Sequence, residues 1–237
     1  LADFNKAIEI DPRNVEAYSN RGLVYTEQRK LDLALADFNR AIDMNPRLAM
    51  AYNNRGHLYK QQQKTDLALA DFNKAIEIDP RNVEAYNNRG YLYHQQQKTD
   101  LALADFNKAI EINPRWAMAY YNRGYLYDQQ HQTDLALADY TRAIEINPRY
   151  ASAYRNRGVL YYQQQKTDLA LADYTRAIEI NPRYAIAYVN RGSLYHDRRE
   201  TEKAIEDLRK AAELYRQQGN TGAYEEILQI LRKLGAV

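Results

Sequence analysis

The sequence contains no cysteine, few glycines and prolines, and no long hydrophobic run. Without cysteine there is no disulfide framework, no thiolate metal site and no cysteine nucleophile. The longest apolar run, Trp116 to Tyr121, is far shorter than the roughly 20 residues that a transmembrane helix needs. A net charge of +2 is too small to indicate a nucleic acid or an acidic membrane as a partner through overall electrostatics. With 45% hydrophobic residues, the chain still has enough apolar mass to form a core.

The scarce residues are regularly spaced. The six prolines stand 34 residues apart, at Pro12, Pro46, Pro80, Pro114, Pro148 and Pro182. Six of the nine glycines keep the same step, at Gly22, Gly56, Gly90, Gly124, Gly158 and Gly192. A fixed period of this length predicts a repeat array rather than a conventional globular domain.

The period divides the chain into six full repeats, which we expect to form a single solenoid domain. They are residues 15–48, 49–82, 83–116, 117–150, 151–184 and 185–218. Residues 1–14 match only the second half of a repeat, so further repeats are expected to precede them in a longer array. Residues 219–237 depart from the pattern and predict a capping helix, with Tyr224, Ile227 and Leu231 on its apolar face.

Each repeat is predicted to contain two helices, here called helix A and helix B. In the third repeat, Val83 to Gln96 has the spacing of helix A, with Tyr86, Gly90 and Tyr93 on one face. Leu101 to Ile112 is helix B, for which Thr99 is the expected N-cap. Pro114 cannot continue a helix, so the chain turns there.

One position of helix B holds every phenylalanine of the chain. Phe4, Phe38, Phe72 and Phe106 occupy it in the early repeats, and Tyr140, Tyr174 and Leu208 in the later ones. Because the central glycine of helix A and an alanine of helix B let two backbones approach closely, these bulky residues are predicted to form the core.

This pattern resembles the tetratricopeptide repeat family. The family has a bulky residue at position 4 of its 34, Gly or Ala at 8, Tyr at 11, Ala at 20, an aromatic residue at 24, Ala at 27 and Pro at 32. In the third repeat these are Tyr86, Gly90, Tyr93, Ala102, Phe106, Ala109 and Pro114. The resemblance extends over residues 1–218. It implies an all-α fold, a right-handed superhelical solenoid of antiparallel helix pairs, whose A helices line a concave groove that holds peptides.

One departure from the family recurs in every repeat. Position 7, usually Leu, is Arg21, Arg55, Arg89, Arg123, Arg157 and Arg191. An arginine that packs between helices needs a counter-charge for its guanidinium. We expect the partner to be the helix-B aspartate of the same repeat, which is Asp37, Asp71, Asp105, Asp139, Asp173 or Asp207.

Differences between the copies concentrate on one face of helix A, at positions 2, 5, 9 and 12. We predict that this face selects a bound peptide through His57, Lys60, Asn87, Tyr91, His94, Tyr121, Tyr125, Asp128, Arg155 and Tyr162. Tyrosine often anchors interfaces. Drift on an exposed surface is the alternative explanation of the same variation.

Within the variable face, position 6 is asparagine in every full repeat. The column comprises Asn20, Asn54, Asn88, Asn122, Asn156 and Asn190. An amide side chain carries both a donor and an acceptor, so it can hold the backbone of an extended peptide without reading its side chains. The column resembles the asparagine ladders of O-linked N-acetylglucosamine transferase and, on another repeat fold, of importin-alpha. The alternative is that each asparagine bonds a neighbouring turn or helix.

No residue pattern in the chain indicates catalysis. The four histidines lack metal-ligand spacing, and the glycines do not form a phosphate-binding loop, so we predict no enzyme activity, metal or cofactor. The expected partner is a protein or peptide, and neither nucleic acid nor membrane is expected. Two alternatives stay open, namely end-to-end self-association through residues 1–14 and a substrate-recruiting arm of a larger enzyme.

Overall fold

A computed structural model describes residues 1–236, and every regular element in this range is an α-helix. The helices are α1 (Ala2–Ile10), α2 (Val15–Glu27), α3 (Leu31–Met44), α4 (Ala49–Gln61), α5 (Thr65–Ile78), α6 (Val83–Gln95), α7 (Thr99–Ile112), α8 (Ala117–Gln129), α9 (Thr133–Ile146), α10 (Ala151–Gln163), α11 (Thr167–Ile180), α12 (Ala185–Asp197), α13 (Thr201–Gln217) and α14 (Thr221–Lys233). The predicted all-α fold is therefore confirmed.

The chain divides into two compact units, unit 1 (Leu1–Ala119) and unit 2, which begins at Tyr120 within α8. In unit 1 the pairs α2–α3, α4–α5 and α6–α7 pack most extensively, and α3 also contacts α4 as α5 contacts α6. In unit 2 the same holds for α10–α11 and α12–α13, with α14 packed on α13. Stacked pairs of consecutive helices are the solenoid arrangement that the period predicted.

Helix boundaries agree with the predicted repeat, with one correction. Helix A of the third repeat is α6, and Asn82 caps it by accepting a hydrogen bond from the Ala85 N–H at 2.9 Å. Helix B is α7, which begins at Thr99 itself. The prediction that Thr99 is the N-cap was wrong, because the cap position is Lys98, whose side chain makes no capping bond.

The core of each repeat is a contact between the central glycine of helix A and the bulky residue of helix B. Phe38, Phe72, Phe106, Tyr140, Tyr174 and Leu208 are all buried, as predicted. A Cβ atom placed on Gly90 would lie 2.9 Å from Cε1 of Phe106, inside the normal contact distance. Glycine is required there because the ring packs directly against the backbone of α6.

The arginine of helix A pairs with the aspartate of helix B in every full repeat, which confirms the predicted counter-charge. In the second repeat, Arg55 also donates from Nη1 to Oδ1 of Asn39 in the preceding helix B, at 2.7 Å. Its guanidinium carbon lies 5.5 Å from the Tyr52 ring centre and 5.9 Å from that of Tyr59. Two tyrosine rings and two helices therefore hold this guanidinium.

The last helix, α14, packs its apolar face on the final repeat. Ile227 and Leu231 are buried against Leu208 and Ala212, and Tyr224 packs beside them. Glu225, Glu226, Arg232 and Lys233 are exposed. The predicted apolar face of this helix is confirmed.

Candidate functional site

In unit 1 the variable face of the A helices forms an open pocket of about 500 Å³. Its walls come from α4, α6 and the segment that starts α8. The lining residues are Asn53, Asn54, His57, Lys60, Glu84, Asn87, Asn88, Trp116 and Met118. The structure therefore brings together five residues of the predicted site, Asn54, His57, Lys60, Asn87 and Asn88. It adds Asn53, Glu84 and Met118, which stand at positions 2 and 5 of the predicted variable face, and Trp116.

Side chains of successive A helices are bonded to each other across this pocket. Nδ2 of Asn53 donates to Oε2 of Glu84 at 3.1 Å, and Nδ2 of Asn88 donates to Oδ1 of Asn53 at 3.3 Å. Nδ2 of Asn87 lies 3.4 Å from Sδ of Met118. Asn53 and Asn87 are both buried, so they form part of the pocket wall and expose little of their own side chains.

Asn54 differs from its neighbours in the asparagine column. Its Nδ2 is buried, and it has no hydrogen-bond partner within the described residues. A buried amide donor without a partner costs about 1–3 kcal/mol. The indole Nε1 of Trp116, another residue that lines the pocket, is in the same condition. Two donors in the wall of this pocket, Nδ2 of Asn54 and Nε1 of Trp116, therefore make no hydrogen bond within the described residues.

Lys60 and His57 occupy the pocket where α4 ends. Burial lowers the pKa of Lys60, and it lowers the pKa of His57, with a smaller contribution from the charge of Lys60. Nζ of Lys60 lies 5.0 Å from the centre of the Tyr91 ring, and no acidic side chain of residues 1–236 lies within ion-pair distance of it. This ammonium group is stabilised by an aromatic ring rather than by a carboxylate.

A second open pocket, of about 540 Å³, begins on the other side of Lys60. Tyr91 lines it and is 37% exposed, with its hydroxyl 3.4 Å from Nε2 of Gln95. His94, on the next turn of α6, is half-buried, and burial lowers its pKa. Lys60 and Tyr91 thus stand between two pockets on the same face of unit 1.

The corresponding face of unit 2 carries a cluster of tyrosines. The rings of Tyr121 and Tyr150 lie 4.8 Å apart, and those of Tyr121 and Tyr140 lie 5.8 Å apart. Nδ2 of Asn156 donates to the hydroxyls of Tyr121 (3.3 Å) and Tyr140 (3.4 Å). Burial raises the pKa of all three tyrosines. The three tyrosines and Asn156 therefore form one packed, hydrogen-bonded network.

Arg155 completes that network. Its Nη1 donates to Oδ1 of Asn156 at 2.8 Å. With the Asn190 amide in the orientation that satisfies both of its atoms, Oδ1 accepts from Nε of Arg155 at 3.0 Å and Nδ2 donates to the Ile186 carbonyl at 3.2 Å. Asn156 and Asn190 are therefore bonded within the chain, as the alternative explanation of the asparagine column expected.

The remaining predicted residues lie on α2, α8 and α10. Asn20 and Asn122 are half-buried on α2 and α8. Tyr125 is exposed on α8, where burial raises the pKa of Asp128. The hydroxyl of Tyr162 donates to Oδ2 of Asp197, beside a pocket of about 300 Å³ that α14 closes with Ile230 and Leu234.

Sequence reasoning missed the relationship between position 24 and the asparagine column. Tyr140 and Asn156 are sixteen residues apart. The same separation joins Phe38 to Asn54, and phenylalanine has no hydroxyl that could accept from the amide. The change from Phe to Tyr at this position was visible in the sequence, and it was the signal that Asn156 has a hydroxyl partner that Asn54 does not have.

The described part of the chain holds no helix that is long and apolar enough to cross a membrane. Residues 1–236 also contain no cluster of three or more histidine or acidic side chains that could bind a metal ion.

Comparison with known families decides what the array is. The tetratricopeptide repeat model matches residues 15–48, 83–115, 117–150 and 151–184, which together are more than half of the chain. The chain belongs to the tetratricopeptide repeat family. Two related models, described as TPR repeat and tetratricopeptide repeat, match residues 56–97 and 173–206. None of the curated proteins compared with this chain matches it significantly.

Solved structures of the same family resemble this tetratricopeptide repeat protein. YrrB, described as a TPR protein with an unusual peptide-binding site, is 27% identical, with a TM-score of 0.55, over 78% of this chain and 95% of YrrB. A tetratricopeptide repeat protein from Parabacteroides merdae is 27% identical, with a TM-score of 0.70, over 95% of this chain and 90% of its own.

A third structure, Pseudomonas aeruginosa PilF, is 19% identical, with a TM-score of 0.79, over 92% of this chain and 99% of its own, which shows the fold alone. The tetratricopeptide repeat family is generally non-catalytic, and family and fold together support a protein-interaction scaffold.

Proposed function

We propose that this tetratricopeptide repeat protein binds an extended peptide segment of a partner protein along the face of its A helices. The observation that carries the proposal is the open pocket of unit 1, which is built from three successive A helices. An extended chain that crosses successive helices meets one set of polar side chains per repeat. The peptide-binding site named in the description of YrrB is consistent with this role.

Asn54 and Asn88 are the proposed contacts to the peptide backbone. The unpaired Nδ2 of Asn54 is a donor for a peptide carbonyl once its amide turns toward the pocket. Within residues 1–236, the Asn88 side chain bonds only through its Nδ2, to Asn53, so its Oδ1 is proposed to accept from a peptide N–H. A backbone contact of this kind binds peptides of different sequence with similar strength.

Side chains at the rim are proposed to choose among peptides. In unit 1 these are His57, Lys60 and Tyr91, with Asn87 in the wall and His94 on the next turn of α6. Because Lys60 has no acidic partner within the described residues, an acidic side chain of the peptide would be favoured beside it. In unit 2, Tyr121, Tyr125, Asp128, Arg155 and Tyr162 are the proposed selecting residues.

Panning of an unbiased displayed peptide library against the protein tests this proposal. The variant is Asn54→Ala with Asn88→Ala, and the matched control is Asn73→Thr, on helix B of the same unit. Thr141 and Thr175 already occupy that position in later repeats, where each accepts from the arginine as Asn73 does from Arg89.

We expect peptides enriched by the wild type to bind the double variant about 5- to 150-fold more weakly, since each of the two amide bonds contributes about 0.5–1.5 kcal/mol. The control should bind as the wild type does, in fluorescence anisotropy with purified peptides. Equal affinity for the double variant would place the site elsewhere. A library that yields no binding peptide would reject an extended peptide as the ligand.

A further inference from the structure

The second helices carry exposed leucines that neither the core nor the proposed peptide groove uses. In unit 1 these are Leu33, Leu67 and Leu101, each 48–49% exposed. An exposed alanine follows each leucine by one helical turn, at Ala36, Ala70 and Ala104. We call these six residues the leucine stripe. Unit 2 repeats the pattern with Leu135 and Leu169, followed by Ala138 and Ala172.

The fold does not require leucine at this position. In the sixth repeat the same two positions are Lys203 and Glu206, and α13 still packs on α12 as the other pairs do. The neighbouring core alanine, Ala204, is as fully buried as Ala68 in the second repeat. Leucine at this position is half exposed in five repeats and is replaced by lysine in the sixth. Leucines that the fold does not need at an exposed position indicate a surface for contact.

We infer that the leucine stripe is the docking surface for a second copy of this chain. A bulky leucine and a small alanine one turn apart form a knob beside a hollow. When two such helices meet antiparallel about a two-fold axis, the leucine of each copy enters the hollow of the other. Because the pattern recurs once per repeat, a second copy presents its leucines at the same spacing.

Charge supports this antiparallel arrangement. In α5, Asp66 lies one residue before Leu67, and Lys74 lies seven residues after it. Both side chains are accessible, and Lys74 bonds only Glu77 on its own helix, at 2.6 Å. In an antiparallel dimer, Lys74 of each copy would lie toward Asp66 of the other copy. The same acid and base flank Leu101, as Asp100 and Lys108.

Light scattering and sedimentation across a concentration series test the inference. The wild type should rise from the monomer mass of 27.7 kDa to twice that mass and then stop. The variant Leu67→Lys with Leu101→Lys should stay at the monomer mass, and it should fold because the sixth repeat tolerates lysine there. The matched control, Leu23→Lys, places the same change on the exposed surface of α2 and should dimerise as the wild type does.

Charge exchange tests the direction of the helices. Lys74→Glu should weaken the dimer, and adding Asp66→Lys to the same chain should restore it, since each copy then again offers one acid and one base. Circular dichroism confirms that all variants are folded. A monomeric wild type, a dimer that survives both lysine substitutions, growth beyond two copies, or failure of the exchange to restore the dimer would each overturn the inference.

Discussion

Arg55 and Asp71 form a two-point ion pair between the helices of one repeat, with Nε 2.8 Å from Oδ2 and Nη2 2.7 Å from Oδ1. The aspartate side chain is 7% exposed and the arginine side chain 19%. The hydrogen bonds to Asp71 raise the pKa of Arg55, although its burial opposes this. Arg55 stands at a position where the family usually has leucine, so an ion pair here contributes to the contact between the two helices of the repeat.

Removal of one partner should destabilise the array strongly. Asp71→Ala leaves a buried guanidinium without its counter-charge, which typically costs about 3–5 kcal/mol. We expect a large fall in the urea midpoint followed by circular dichroism. The matched control is Glu77→Ala, which breaks the exposed pair with Lys74 and should cost less than about 1 kcal/mol. Equal effects of the two substitutions would contradict the role of burial.

Replacement of both partners should recover much of that loss. Arg55→Leu with Asp71→Leu removes the unpaired charge and leaves two apolar side chains at a buried contact. The urea midpoint of this double variant should lie well above that of Asp71→Ala. If it does not, the stability lost with Asp71 comes from the shape of the contact rather than from the stranded charge.

The glycine of helix A should tolerate alanine to different extents in two repeats. A Cβ atom on Gly158 would lie 2.7 Å from Cε1 of the buried Tyr174 ring, whereas one on Gly192 would lie 3.2 Å from Cγ of Leu208. Overpacking costs about 1–3 kcal/mol, against a gain of about 0.5–1 kcal/mol from helix propensity. Gly158→Ala should therefore lower the urea midpoint, and Gly192→Ala should change it little.

The Arg55–Asp71 pair and the pocket of unit 1 differ in how far the sequence predicted them. The Arg55–Asp71 pair was predictable because both residues recur in every full repeat, so the copies served as an internal comparison. The grouping of Trp116 and Met118 with Asn54 in one pocket was not predicted, because it depends on how one repeat turns onto the next. Bonding of Asn156 within the chain was left open as an alternative, but its partner was not identified, because the bond depends on the hydroxyl of Tyr140 sixteen residues away.

Stability should fall as the pH drops through the range where histidine titrates. Burial and the charge of Lys60 lower the pKa of His57 below its usual value of about 6.5, and burial lowers that of His94. The unfolded chain therefore binds more protons, so stability is complete above about pH 6.5 and decreases below it. Urea midpoints between about pH 7.5 and pH 5.5 measure this slope.

Lys60→Gln provides the control for that slope. It removes the like charge beside His57, so the decrease below about pH 6.5 should become smaller. Lys74→Gln, on the exposed side of helix B, should leave the slope as it is in the wild type. His57→Gln combined with His94→Gln should remove most of the decrease. A slope unchanged in that double variant would assign the pH dependence to other groups.

Phe38→Tyr should give Asn54 the bonded arrangement that Asn156 has with Tyr140. Phe38 precedes Asn54 by the same sixteen residues that separate Tyr140 from Asn156, so the added hydroxyl is expected to accept from the unpaired Nδ2 of Asn54. One buried hydrogen bond contributes about 0.5–1.5 kcal/mol, so the urea midpoint should stay level or rise. Affinity for peptides selected by the wild type should fall, because the amide is then occupied within the chain.

The combination of Phe38→Tyr with Asn54→Ala separates this effect from a general disturbance of the pocket. If the hydroxyl acts only by occupying Asn54, it should cause no further loss of peptide affinity once that amide is removed, and the two changes should be non-additive. Fluorescence anisotropy with one selected peptide gives all four affinities. A higher urea midpoint with unchanged peptide affinity would show that Asn54 supports the fold and does not contact the peptide.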